Sequence, residues 1–101
     1  MKAFRVDRFG ITEVDMPDDF DDTAVFGWDW DWDCVRLGNG HDAWVRDDAL
    51  FQPGLALATF GEHANVPLPA YVLGADGERT VAATISLDDL SAQVSMQDGY
   101  R

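Results

Sequence analysis

Apolar and polar residues alternate in short runs separated by turn-forming residues, with a period close to two along most of the chain. Lys2 to Val6 places Phe4 and Val6 on one face. Arg8-Phe9-Gly10 turns the chain and Ile11 to Val14 alternates again, which predicts an N-terminal hairpin. Trp30 to Leu37 is the clearest strand; Gly38-Asn39-Gly40 is its turn and His41 to Arg46 its return partner. Val66-Pro67-Leu68-Pro69 is held extended by its prolines and fits a sheet edge. Pro69 to Leu73 and Thr80 to Ile85 form a further pair across Ala75-Asp76-Gly77-Glu78, which carries the favoured Asp-Gly turn.

The period of two fails in a few places. Leu55 to Phe60 is rich in Ala and Leu and bounded by Gly54 and Gly61, and reads as a short helix. Ser86-Leu87-Asp88-Asp89 opens a C-terminal helix: Ser86 caps it, two acids sit in its first turn, and Leu87, Leu90 and Val94 form one apolar stripe. Pro17 with the acids after it predicts a loop holding one helical turn, and Asp47-Asp48 offers a cap for a turn at Ala49-Leu50-Phe51. Gln97 to Arg101 reads as a frayed tail. Together these elements predict one α+β domain over residues 1–101, a small antiparallel sheet built from two or three hairpins with the C-terminal helix packed on one face.

Composition changes the picture through charge. The 101 residues carry 19 Asp and Glu against 7 Lys and Arg, a net charge of −12. Phosphate contacts need cations in number, so direct nucleic-acid binding and binding to an anionic membrane are both disfavoured. A basic protein partner would be attracted, at a rate that falls with salt. A single cysteine, Cys34, allows no internal disulfide and fits a reducing cytoplasm. Met1 to Asp7 has no apolar run behind its positive charge of the kind a secretory signal carries.

The acids are also clustered. Glu13 to Asp33 holds nine carboxylates and no Lys or Arg, and ends in Gly27-Trp28-Asp29-Trp30-Asp31-Trp32-Asp33. On a strand this sorts Trp28, Trp30 and Trp32 to one face and Asp29, Asp31 and Asp33 to the other, the acids roughly 6.6 Å apart. That spacing is close to the roughly 6–7 Å between phosphates along one DNA strand. Flanked by Asp18, Asp19, Asp21 and Asp22, such a row offers a surface that resembles nucleic acid to a basic protein. Trp28, with Phe20 second, is the candidate aromatic anchor, since Trp dominates interface hot spots. The plainer expectation is that the indoles form core and the acids are a solvated face that blocks aggregation. Val35 and Leu37 share the acid parity, so beyond Asp33 that face turns apolar, through partial cover or a bulge.

Catalytic and metal chemistry is sparse. Asp29, Asp31 and Asp33 match the first ligands of an EF-hand loop, but Cys34 and Gly40 stand where that loop needs its Gly and its bidentate Glu. Cys34, His41 and His63 lack paired zinc spacing. A Cys34-His41-Asp42 nucleophilic arrangement can be written across the Gly38-Asn39-Gly40 turn, where closeness alone means little. The expectation is no enzyme, no metal and no cofactor.

Met1-Lys2-Ala3-Phe4-Arg5-Val6-Asp7 with Ile11-Thr12-Glu13-Val14, and Val66-Pro67-Leu68-Pro69-Ala70-Tyr71-Val72-Leu73-Gly74 with Gly77-Glu78, resemble small uncharacterised proteins carried by actinobacterial phages and plasmids. The Trp-Asp alternation has no counterpart in that group. The resemblance implies a mobile-element accessory protein, cytoplasmic in the host, acting by binding a host factor. The expected function is therefore a non-enzymatic acidic interaction module that engages a basic host protein through Asp18, Asp19, Asp21, Asp22, Trp28, Asp29, Asp31 and Asp33. The alternatives are a structural or homo-oligomerising accessory protein, such as a homodimer through a sheet edge, and a small ligand-binding domain or enzyme.

Overall fold

A computed structural model describes residues 1–16, 18, 32–46, 55–77 and 79–97. Within these residues nine strands and one helix follow in chain order: β1 (Lys2–Asp7), β2 (Gly10–Asp15), β3 (Trp32–Arg36), β4 (His41–Arg46), β5 (Leu57–Phe60), β6 (His63–Pro67), β7 (Ala70–Asp76), β8 (Arg79–Val81), α1 (Leu87–Gln93) and β9 (Val94–Met96). Among the described residues the fold is mostly antiparallel sheet with one short helix near the C-terminus. The larger sheet runs β2-β1-β7-β4-β3 with β8 also paired to β7; the smaller runs β6-β5-β9. The predicted acidic turn at Pro17, the turn at Ala49-Leu50-Phe51 and the end of the tail lie outside the described residues.

Register fixes which side chains share a face. Across the larger sheet, Phe4, Val72, Ala43 and Val35 stand opposite one another in sequence. All but the partly buried Val35 are closed to solvent, and they join Ala58, Phe60, Val66 and Leu68 of the smaller-sheet region and Leu90 of α1 in one core. The next row is Arg5, Tyr71, Trp44 and Cys34, which by alternation points the other way. This outer face carries a lesser cluster, in which Ala3, Met16 and Leu73 are buried and Trp32, Trp44 and Tyr71 pack in partly. Trp32 meets Tyr71 edge to face, with ring centroids 5.6 Å apart.

Two expectations are corrected here. Trp32 does not lie on the main core face; Val35 and Leu37 do, and the indole occupies the outer face. The reason is register: four further strands present their aliphatic residues on the Val35 side, and one indole cannot outweigh that row. Leu55 to Phe60 is not helical; Leu57–Phe60 is the central strand of the smaller sheet. Its partners override the helix preference of Ala and Leu, and a register irregularity between Ala58 and Phe60 lets Leu57, Ala58 and Phe60 all bury. The apolar stripe at the C-terminus also divides: Leu90 is buried in α1, Leu87 is exposed, and Val94 begins β9 against Phe60. Ser86 caps as its sequence predicts, its hydroxyl accepting from the Asp89 N–H at 3.1 Å.

Candidate functional site

The described carboxylates lie mainly at the surface. Glu13 and Asp15 belong to edge strand β2, and Asp18 follows it; all three are exposed. The Met1 ammonium donates to Asp15 at 2.8 Å and approaches Asp18 at 3.1 Å. Those two hydrogen bonds, ahead of the opposing cost of desolvation, hold the ammonium pKa above its ordinary value. Lys2 stands 3.9 Å from Glu13. These are surface pairs screened by water, and they leave the edge acidic.

Asp33 is exposed, and its Oδ1 accepts the N–H of Cys34 at 2.9 Å. Its parity is that of Val35, yet among the described strands β3 lies at the edge of the sheet, so the carboxylate reaches water instead of entering the core. The remaining candidates, Asp19, Asp21, Asp22, Trp28, Asp29 and Asp31, lie outside the described residues, as does Phe20. The structure thus places Asp18 and Asp33 at the surface. It adds Glu13 and Asp15, whose exposure follows from the edge position of β2, which the sequence does not give.

The Cys34-His41-Asp42 arrangement does not assemble. His41 and Asp42 are adjacent on β4 and point to opposite faces; Cys34, opposite Trp44, shares the face of Asp42. His41 is buried, and its Nε2 accepts the N–H of Thr84 at 3.0 Å and of Ile85 at 3.2 Å. Two donors require that nitrogen to be bare, so the ring proton sits on Nδ1, 3.3 Å from the Asn39 carbonyl. His41 therefore pins the segment entering α1 and has no free nitrogen for proton transfer. The Cys34 thiol is pushed up to about 11, first by burial and then by the charge and hydrogen bond of Asp42. A thiol so raised is a poor nucleophile near neutrality. Among the described residues no three His, Cys, Asp or Glu side chains gather as a metal site. None of the described helices is long and apolar enough to cross a membrane.

No family model, curated protein sequence or solved structure matches the chain.

Proposed function

We propose that the protein is a non-enzymatic acidic interaction module that binds a basic surface on another protein. The observation that carries this reading is the outward placement of charge: Glu13, Asp15, Asp18, Asp33, Glu62, Asp76, Asp88 and Asp89 are all exposed on a chain of net charge −12. Such a surface speeds encounter with a cationic patch and repels phosphate backbones. The alternation of Asp29, Asp31 and Asp33 along the sequence supports a nucleic-acid-handling protein as the partner, held where DNA or RNA would sit. A host protein met by a phage or plasmid product is the setting the sequence resemblance favours. Homodimerisation through the β2 edge draws no support, since Thr12, Glu13 and Asp15 stand exposed there and charges on an edge discourage strand-to-strand pairing.

Capture of partners from host lysate at low and high salt tests the proposal. The expected result is a basic protein retained at low salt, released at high salt and competed off by duplex DNA. Asp29, Asp31 and Asp33 changed together to Asn should abolish capture while the far-ultraviolet dichroism stays unchanged. Undiminished capture by that triple variant would overturn the assignment.

A further inference from the structure

His41 joins two parts of the fold that lie far apart in sequence, and the join depends on how many protons its ring carries. β4 supplies the ring, and the segment it holds is residues 84–86, which leads into α1. A backbone N–H can only donate, so the contacts from Thr84 at 3.0 Å and Ile85 at 3.2 Å both fall on a bare Nε2. Nδ1 carries the single proton and faces the Asn39 carbonyl at 3.3 Å. A second proton has to go to Nε2, where it points at two donors. Both hydrogen bonds are then lost, and a charged N–H is left buried without an acceptor.

The held segment has few other ties. Ahead of it, the Ala83 N–H donates to the Lys2 carbonyl at 2.8 Å; at its far end, the Gly61 N–H donates to the Gln93 carbonyl at 2.7 Å. Between those points Leu90 is buried, Leu87 is exposed, and the Asn39 side chain reaches Gln93 only at 3.4 Å. A cavity of about 410 Å³, lined by His41, Thr84, Asp89 and Gln93 among others, gives the segment room to shift. Among the described residues, Asp89 is the charged group that shares this cavity with the ring; Asp42, next to His41 on β4, points to the opposite face. A carboxylate attracts imidazolium, so Asp89 favours the charged ring once it has let go of the two N–H groups.

We propose that His41 is an acid-sensitive latch: neutral, it clamps residues 84–86 and the first turn of α1 to the β3–β4 turn; charged, it releases them. Asp88 and Asp89 lie in that first turn, so release moves part of the acidic surface. The latched ring excludes the second proton and the released ring accepts it. An imidazole in water takes up that proton near about pH 6.5, so acid favours release below about that value.

Imidazole nitrogen spectra and amide exchange of the whole chain, compared at about pH 7.5 and about pH 5, test the latch. At the higher pH the ring should show the Nδ1–H tautomer with Nε2 bare. At the lower pH the ring should carry both protons. Protection of the Thr84, Ile85 and Asp89 amides, measured against an unfolded peptide at the same pH, should then fall at least tenfold, while Ala83 and Gly61 keep theirs. His41→Gln retains a carbonyl acceptor and does not titrate, so its protection should stay constant across this range. Should that variant fail to fold, the wild-type tautomer and exchange rates decide alone. An Nε2–H tautomer at the higher pH, unchanged protection of Thr84 and Ile85 at the lower, or the same acid response in a folded His41→Gln would overturn the proposal. So would equal loss at Ala83 and Gly61, which would mean that the domain unfolds as a whole.

Discussion

Cys34 shows how one side chain's surroundings decide its chemistry. It stands on strand β3, half-buried, with Asp42 near it on the neighbouring strand. Both burial and that neighbouring negative charge disfavour thiolate, which puts the pKa at about 11. At pH 8 roughly one molecule in a thousand then carries a thiolate, and iodoacetamide should label Cys34 far more slowly than it labels free cysteine. The rate should climb about tenfold per pH unit up to about pH 11, and Asp42→Asn should accelerate labelling at pH 8. Labelling at pH 8 as fast as that of free cysteine would contradict the geometry. Stability follows with a definite sign. The folded state holds this proton more tightly than the unfolded chain, so the contribution is complete below the ordinary pKa of 9.0 and is lost as pH rises toward 11. The residue type was legible in the sequence. Its partner was not, because Asp42 reaches it only through the cross-strand pairing of β3 with β4.

At the scale of elements, hairpin grammar carried most of the fold. Each predicted turn of the larger sheet joins the strands it was expected to join; Asn39-Gly40 and Asp76-Gly77 fix two of them locally, and the alternation on either side of Arg8-Phe9-Gly10 carries the third. What stayed hidden is long-range: that β7 sits between β1 and β4, and that Leu57–Phe60 needs β6 and β9 as neighbours to become a strand. Gly74 in β7 marks a close approach of a local kind, across the β7–β8 hairpin. A Cβ built there would lie 2.5 Å from the Ala82 carbonyl oxygen and 2.9 Å from Val81 Cγ2. Gly74 lacks the positive φ that favours glycine, so on backbone entropy alone alanine would stabilise the strand by about 0.4–1 kcal/mol. The close approach of residues 81–82 should reverse that sign. Gly74→Ala is expected to lose about 1–3 kcal/mol, read as a lower urea midpoint at unchanged slope. A gain in midpoint would mean that the 81–82 segment does not cross the strand there.

For the whole molecule, the alternation of Trp and Asp is sorted by a force the segment itself does not contain. Phe4, Val72 and Ala43 commit the Val35 side of the sheet to the main core, so Trp32 is left to the outer face with Tyr71 and Trp44. Parity within the segment was readable; which parity faces the core depends on the four other strands. The acids then act collectively. With eight exposed carboxylates named above and a net charge of −12, the folded state concentrates repulsion that the unfolded chain relaxes by expanding. Screening lengths fall from about 30 Å at 0.01 M salt to about 8 Å at 0.15 M, which is shorter than the molecule. The midpoint of thermal unfolding should therefore rise by several degrees over that range of NaCl, the opposite of what a fold held by surface ion pairs would show. Changing Asp29, Asp31 and Asp33 together to Asn removes three charges, from −12 to −9, and should raise the midpoint at low salt while shrinking the gain from added salt. A midpoint that falls with NaCl, or a triple variant less stable than wild type at low salt, would mean that these carboxylates hold attractive contacts within the fold. A surface costly to the fold in dilute buffer is the state expected of charge displayed for a partner, and the same three substitutions read both consequences in opposite directions.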